Sequence, residues 1–258
     1  MYAGRFKEGN RIFYGKLDKE SVIELSGDIF SKFSVSDNKI PLNKLTILPP
    51  SEPSKLILVG LNYRDHAEEM NFDIPESPVI FMKPNTAVIA HNENIIHPKA
   101  SERMDYEAEL AFIISKEAYK VKKEKASDYI LGYTCLNDVT ARDLQKKDGQ
   151  WIRAKSFNTF APFGPYIYIP EDSENFNPNN LEIQAILNGE IKQHSNTKNF
   201  IFNIEYLLEF ISGIMTLYPG DVISTGTPSG IGPMKPGDTI EIKIEKIGSL
   251  KNKVIMEE

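Results

Sequence analysis

Residues 104–114, MDYEAELAFII, constrain the chain more than any other stretch. Acids occupy alternate positions, and the apolar run LAFII follows without a break. Alternate side chains of a strand share one face, so Asp105, Glu107 and Glu109 point the same way, roughly 6.5–7 Å from one to the next. Carboxylates at this spacing repel and raise one another's pKa unless something neutralises them. A cation would remove that cost, and an all-oxygen donor set favours Mg, Mn or Ca over Zn. An edge strand with a solvated acidic face is the plain alternative, but the apolar run then has to enter a core with the charges attached.

The remaining pattern is mostly strand. Residues 55–59 (KLILV), 78–82 (PVIFM) and 129–135 read as buried or half-buried strands. Residues 181–194 alternate around Asn188-Gly189, a strong hairpin signal. One clear helix begins after Asn203, with Ile204, Leu207, Leu208, Ile211 and Met215 at helical spacing and a stop at Tyr218-Pro219-Gly220. Short alternating runs up to about residue 48 predict a small β-rich N-terminal domain over 1–50. Pro49, Pro50 and Pro53 then separate it from a larger domain over 51–258. The regular βαβ alternation of a doubly wound sheet is missing, so the fold class is α+β and β-dominated.

Composition excludes several functions. With 41% apolar residues and a mean hydropathy of -0.33, the 258-residue chain can build a core in water. No apolar stretch approaches the roughly 20 residues of a membrane span, and MYAGRFKEGN has no secretory h-region. Cys135 is the single cysteine, which rules out an intrachain disulfide and predicts a cytoplasmic protein. A formal net charge of -6 argues against binding nucleic acid, which demands a basic footprint.

Four further segments could carry chemistry. After KLILV, a glycine leads into NYRDHAEE, where His66 and Glu69 stand three apart and can meet on a helix; such a pair makes a competent general base or an ordinary surface pair. Asp138, in NDVTARDLQ, either caps the next helix or lends its carboxylate to a site, while Arg142 and Gln145 share a helix face. Lys155 lies among apolar and aromatic neighbours and needs an anionic partner or a route to solvent. Residues 224–232 (STGTPSGIG) form either an anion cradle or a tight connection.

The order of these segments resembles the fumarylacetoacetate hydrolase family over roughly residues 55–245. GLNYRDHAEE, Lys83-Pro84 after PVIFM, DYEAELAFII, LGYTCLNDVTARDLQ, GQWIRAKSFNTFAPFGP, NGE and PGDVISTGTPSGIG carry the resemblance. Ala154 and Asn158 stand where the family pattern has Gly and Asp. The resemblance implies a mixed β-roll or β-sandwich with a small N-terminal domain, assembled as a homodimer. It also implies that Glu107, Glu109 and Asp138 ligate Mg2+ or Mn2+, with Ca2+ as a substitute. His66 and Glu69 match the family's catalytic dyad; Arg142, Gln145, Lys155 and Thr227 match substrate contacts, with Lys155 close to the reacting oxyanion and Lys83 also on the substrate side. Asp105 matches the motif without being a ligand.

The implied reaction is cleavage of a C–C bond in a small 2,4-dioxo acid, an acylpyruvate or a fumarylacetoacetate-like compound, through a metal-stabilised enolate. Isomerisation, tautomerisation or decarboxylation of a 2-oxo diacid passes through the same enolate and is the alternative. A non-catalytic Ca-binding structural protein is the reading from a different class, although structural Ca sites usually add backbone carbonyls from a loop.

Overall fold

Apolar and polar positions alternate in many segments, and among the described residues the strands build three sheets. The computed structural model describes residues 1–171 and 176–258. The largest sheet has twelve strands. Its main path runs Phe33–Pro41, Ser21–Gly27, Arg11–Asp18, Tyr2–Glu8, Ala161–Tyr168, Ile130–Asn137, Ala108–Ile114, Val222–Ser224, Leu56–Val59, Ile80–Lys83. The N-terminal strands therefore continue the main sheet, with Tyr2 opposite Tyr168 and Ala3 opposite Ile167. A five-stranded sheet is ordered Glu190–Asn196, Glu182–Leu187, Thr239–Ile244, Gly248–Met256, Asn94–His97. This is the β-dominated architecture expected from the residue pattern.

Strand Ala108–Ile114 is buried on both faces, which explains its unbroken apolar run. Leu110, Phe112 and Ile114 pack in one cluster with Ile183, Ile242 and Val254 of the five-stranded sheet. Ala111 and Ile113 face the other way, onto Leu56, Leu136 and Phe163. Its terminal charges thus enter a core closed from both sides.

The hairpin forms at Asn188-Gly189, both at positive φ as a tight two-residue turn requires. The helix after Asn203 spans Ile204–Ile214, and the Asn203 side chain accepts from Tyr206 N. It ends short of Tyr218-Pro219-Gly220 because Leu217 leaves to exchange backbone hydrogen bonds with Ala118. Among the described residues, no helix is long and apolar enough to cross a membrane.

Gly132 marks a close approach of two strands of the main sheet. A Cβ there would stand 2.4 Å from the Tyr168 carbonyl oxygen and 2.6 Å from Ile167 Cγ2. Backbone cannot swing aside as a side chain can, so Gly132→Ala is expected to destabilise the fold by about 1–3 kcal/mol, the range for overpacking. Urea unfolding measures this, and an unchanged midpoint would contradict the packing described.

Candidate active site

Glu107 sits where the chain changes sheets. Met104–Tyr106 pairs with Thr140–Ala141 and Gly232–Met234 in a three-stranded sheet, while Ala108–Ile114 belongs to the large one. The continuous acidic strand expected from alternation is thus two strands with a break at Glu107. Asp105 stands outside the converging acidic group, its carboxylate held by Arg103 and Arg142 at 2.8 and 2.9 Å.

Glu107, Glu109 and Asp138 converge. They offer one carboxylate oxygen each, all within 4.8 Å of one another, and all three residues are buried. Two oxygens on one hard cation, at roughly 2.1–2.4 Å each, stand at most about 4.8 Å apart, so the set fits a divalent ion. Strand Ile130–Asn137 delivers the third ligand: Asn137 lies opposite Ala108, and Asp138 N donates to Glu107 O at 2.9 Å. Asp138 caps no helix; Arg142–Asp148 begins after Ala141.

Three buried or nearly buried cations surround this group. Lys155 Nζ bridges Glu107 Oε2 at 3.0 Å and Asp138 Oδ2 at 2.5 Å. Arg142 donates from Nη2 to Glu107 Oε1, from Nε to Asp105 and from Nη1 to Gln145 Oε1 at 2.5 Å. Lys83 donates to the Val139 and Phe160 carbonyls and lies 2.5 Å from Asp138 Oδ1, an oxygen with no hydrogen bond of its own. The ammonium of Lys83 is therefore committed behind Asp138, while Lys155 and Arg142 reach the cleft.

The electrostatics divide the triad. Burial alone would raise the Glu107 carboxyl, but Lys155 and Arg142 outweigh it and hold it far below the carboxylate range. Burial pushes the Glu109 carboxyl well up, and the charges of Asp138 and Glu107 push it further. Hydrogen bonds from Ser224 Oγ at 2.5 Å and Gly226 N at 3.0 Å do not reverse that. Glu109 is thus a ligand position short of positive charge, as a site built for a cation requires. The glycine-rich loop does hold a carboxyl group, and that group is Glu109's own.

The dyad forms on a short helix, Arg64–Met70. His66 Nδ1 lies 3.0 Å from Glu69 Oε2, and Glu69 Oε1 accepts from Gly230 N at 3.0 Å. A carboxylate can only accept, so Nδ1 carries a proton, and in the neutral ring the lone pair then sits on Nε2. Asp65 latches this helix: its Oδ2 accepts from Ser195 Oγ at 2.5 Å and its Oδ1 from His66 N at 2.9 Å. Nothing in the sequence marked Asp65 as a latch, because its partner is 130 residues away. Asp65→Ala is expected to speed amide exchange across residues 64–70 without changing that of residues 108–114, as read by hydrogen-exchange mass spectrometry.

A cleft of about 310 Å³ unites these parts, lined by His66, Glu107, Arg142, Gln145, Lys155 and Trp151, among others. With its oxygen accepting from Arg142, Gln145 has its NH2 left to donate. Thr227 lies buried nearby in the chain of contacts, its Oγ1 accepting from Gln193 Nε2 at 2.9 Å. Gln193 escaped the sequence reading altogether. It is a polar residue buried on a strand whose Ile191 is exposed, an inversion that only the structure displays.

A buried acidic triad, an imidazole–carboxylate pair and a small cleft on this β scaffold define the fumarylacetoacetate hydrolase class, and the chain belongs to that family. Residues 55–255 match the family model "Fumarylacetoacetate (FAA) hydrolase C-terminal", and residues 1–50 match "Rv2993c-like, N-terminal". The crystal structure of 5-carboxymethyl-2-hydroxymuconate delta-isomerase from Mycobacterium smegmatis is similar over 100% of both chains, with 39% identity and a TM-score of 0.91. The rat protein "Oxaloacetate tautomerase Fahd2a, mitochondrial" is 40% identical over 225 residues, 84% of this chain and 71% of its own. Maleylpyruvate hydrolase from Sphingobium sp. SYK-6, in complex with manganese(II) and pyruvate, aligns over 100% of both chains at 26% identity and a TM-score of 0.82.

Proposed function

We propose that this chain is a divalent-metal-dependent enzyme that acts on a small 2-oxo diacid through its enolate, moving a proton at the carbon beside the oxo group. Charge balance is the observation that carries the reading. Asp105, Glu107, Glu109 and Asp138 face Lys83, Arg103, Arg142 and Lys155, four carboxylates against four cationic side chains. A divalent ion on the triad leaves a surplus of two positive charges, which a dianion offsets. The cleft's size suits a molecule of that class. The named substrates of the Mycobacterium, rat and Sphingobium relatives are all small acids with two or more carboxylates.

A bound Mg2+ or Mn2+ supplies Lewis-acid polarisation of a substrate oxygen. The chain's own residues do the rest. Arg142, locked by Asp105 and Gln145, orients a substrate carboxylate with its two remaining N–H groups. Lys155 holds positive charge beside Glu107, where negative charge builds up on the substrate. His66 Nε2 takes and returns the proton, with Glu69 fixing the ring. Lys83 positions Asp138. Thr227 contributes a hydroxyl to a substrate carboxylate.

Hydrolysis of a C–C bond is the second reading. The same Nε2 can activate water, and the Sphingobium relative is a hydrolase by name. The test supplies Mg2+ or Mn2+ with enol-oxaloacetate, a 2-hydroxy-2,4-diene-1,7-dioate and acetylpyruvate, and follows enol absorbance together with the products. Ketonisation or double-bond migration of the diacids without fragmentation is expected. Turnover confined to acetylpyruvate, with pyruvate released, overturns the first reading in favour of the second. A homodimer is the assembly we infer from the family; Val79, Met82 and Ile152, exposed at the sheet-edge strand Ile80–Lys83 and beside it, offer it an apolar face. Sedimentation at micromolar concentration tests this, and a monomer refutes it.

A further inference from the structure

Gln193 is fully buried on strand Glu190–Asn196, and it turns three of the four hydrogen-bonding directions of its amide toward the site. Its Oε1 accepts from Ala108 N at 2.9 Å. Its Nε2 donates to Thr227 Oγ1 at 2.9 Å and to the Pro228 carbonyl at 2.8 Å. These partners allow one orientation only, because Ala108 N must find an acceptor and the Pro228 carbonyl a donor. Ala108 lies between Glu107 and Glu109, so one amide ties the backbone of two triad carboxylates to the loop that carries Thr227.

The consequence falls on the Thr227 proton. A hydroxyl has one donor and two acceptor directions. Gln193 occupies an acceptor direction, and among the described residues the Thr227 hydroxyl donates to none. Thr227 is 2% exposed, so bulk water does not satisfy that donor. We propose that Gln193 is a positioning residue that presents the Thr227 hydroxyl as a hydrogen-bond donor to the carboxylate of a 2-oxo acid, in fixed register with Glu107 and Glu109. The inference rests on Thr227 being a substrate contact, as proposed above, and adds what aims it.

Gln193→Glu keeps the size and removes the donor. The new carboxylate accepts the Thr227 proton and draws it away from the substrate. The full-length protein, saturated with Mn2+, is titrated with pyruvate by calorimetry as wild type, Q193E, T227V and the double variant, and Mn2+ affinity is measured without pyruvate. A hydrogen bond to a charged acceptor is worth roughly 1.5–3 kcal/mol, so Q193E and T227V should each weaken pyruvate binding by about 10-fold or more. The double variant should bind no more weakly than T227V alone, and the Mn2+ affinity of T227V and of Gln193→Asn, which add no charge, should stay within about threefold, since Gln193 touches no triad side chain. A merely structural role would lower the melting temperature yet leave the two losses additive. If T227V binds pyruvate as tightly as wild type, Thr227 is no substrate contact and the inference falls with that reading. If T227V weakens binding while Q193E does not, or the losses add, Thr227 stands and the role of Gln193 is refuted. Gln193→Asn, which withdraws the amide by one methylene, carries the same cycle should Q193E fail to fold.

Discussion

Replacing Glu109 with glutamine is expected to make the metal-free protein more heat-stable and to abolish the stabilisation that Mn2+ confers. Glu109 is buried beside the charges of Asp138 and Glu107, and its carboxyl is pushed well up as a result. The amide keeps an oxygen for Ser224 Oγ and Gly226 N, so neither hydrogen bond is lost. At an effective dielectric of about 20, one like-charge contact at 4–5 Å costs roughly 3–4 kcal/mol, and protonation of Glu109 already relieves part of it. A gain of about 1 kcal/mol remains, worth roughly 2–4 °C in a chain of this size. Mn2+ at a hundredfold excess over its Kd should add about 2.7 kcal/mol to wild type and nothing measurable to the variant.

The pH dependence follows the same sign. A carboxyl raised in the fold binds a proton that the unfolded chain has released. Metal-free wild type should therefore lose stability as pH rises from about 4.5 through the raised value, and E109Q should flatten that slope. Glu107→Gln should do the reverse to the metal-free protein. It strips a buried partner from Lys155 and Arg142, at about 3 kcal/mol. Differential scanning calorimetry with and without Mn2+ reads all of this. Two triad variants shifting the metal-free melting temperature in the same direction would refute the division of roles.

His66→Gln carries the second large effect, on turnover alone. The imidazole lines the cleft with its ring held by a carboxylate, and general acid–base catalysis contributes typically about 10²–10⁴-fold. We expect a fall of that order in kcat on whichever substrate proves active, with Mn2+ affinity and melting temperature unchanged. Glu69→Gln should lose less, because the amide still accepts from Nδ1. A His66→Gln enzyme retaining full kcat would leave the proton transfer without its base.

How much of this was legible in the sequence depends on chain distance. The strands, the Asn188-Gly189 hairpin and the Asn203 cap were legible because period-two alternation and local turn chemistry are written within a few residues. Alternation also located Glu107 and Glu109, but it over-counted Asp105, since a change of sheet at Glu107 leaves no mark on the polar–apolar pattern. Asp138 is 29 positions past Glu109 by number, and only the motif order of the family tied it to the group. Lys83, Gln193 and the Asp65 latch were illegible as to what they touch: their partners lie 34 to 130 residues away.

By itself the sequence determined the β-dominated scaffold, the family, and the residue types able to hold a hard cation, because each depends on local pattern or motif order. Tertiary structure alone decided which carboxylate is neutralised and which is left short of charge. Charges act through space: the ammonium and guanidinium groups that settle the matter for Glu107, and are outweighed at Glu109, reach the site from other strands and helices.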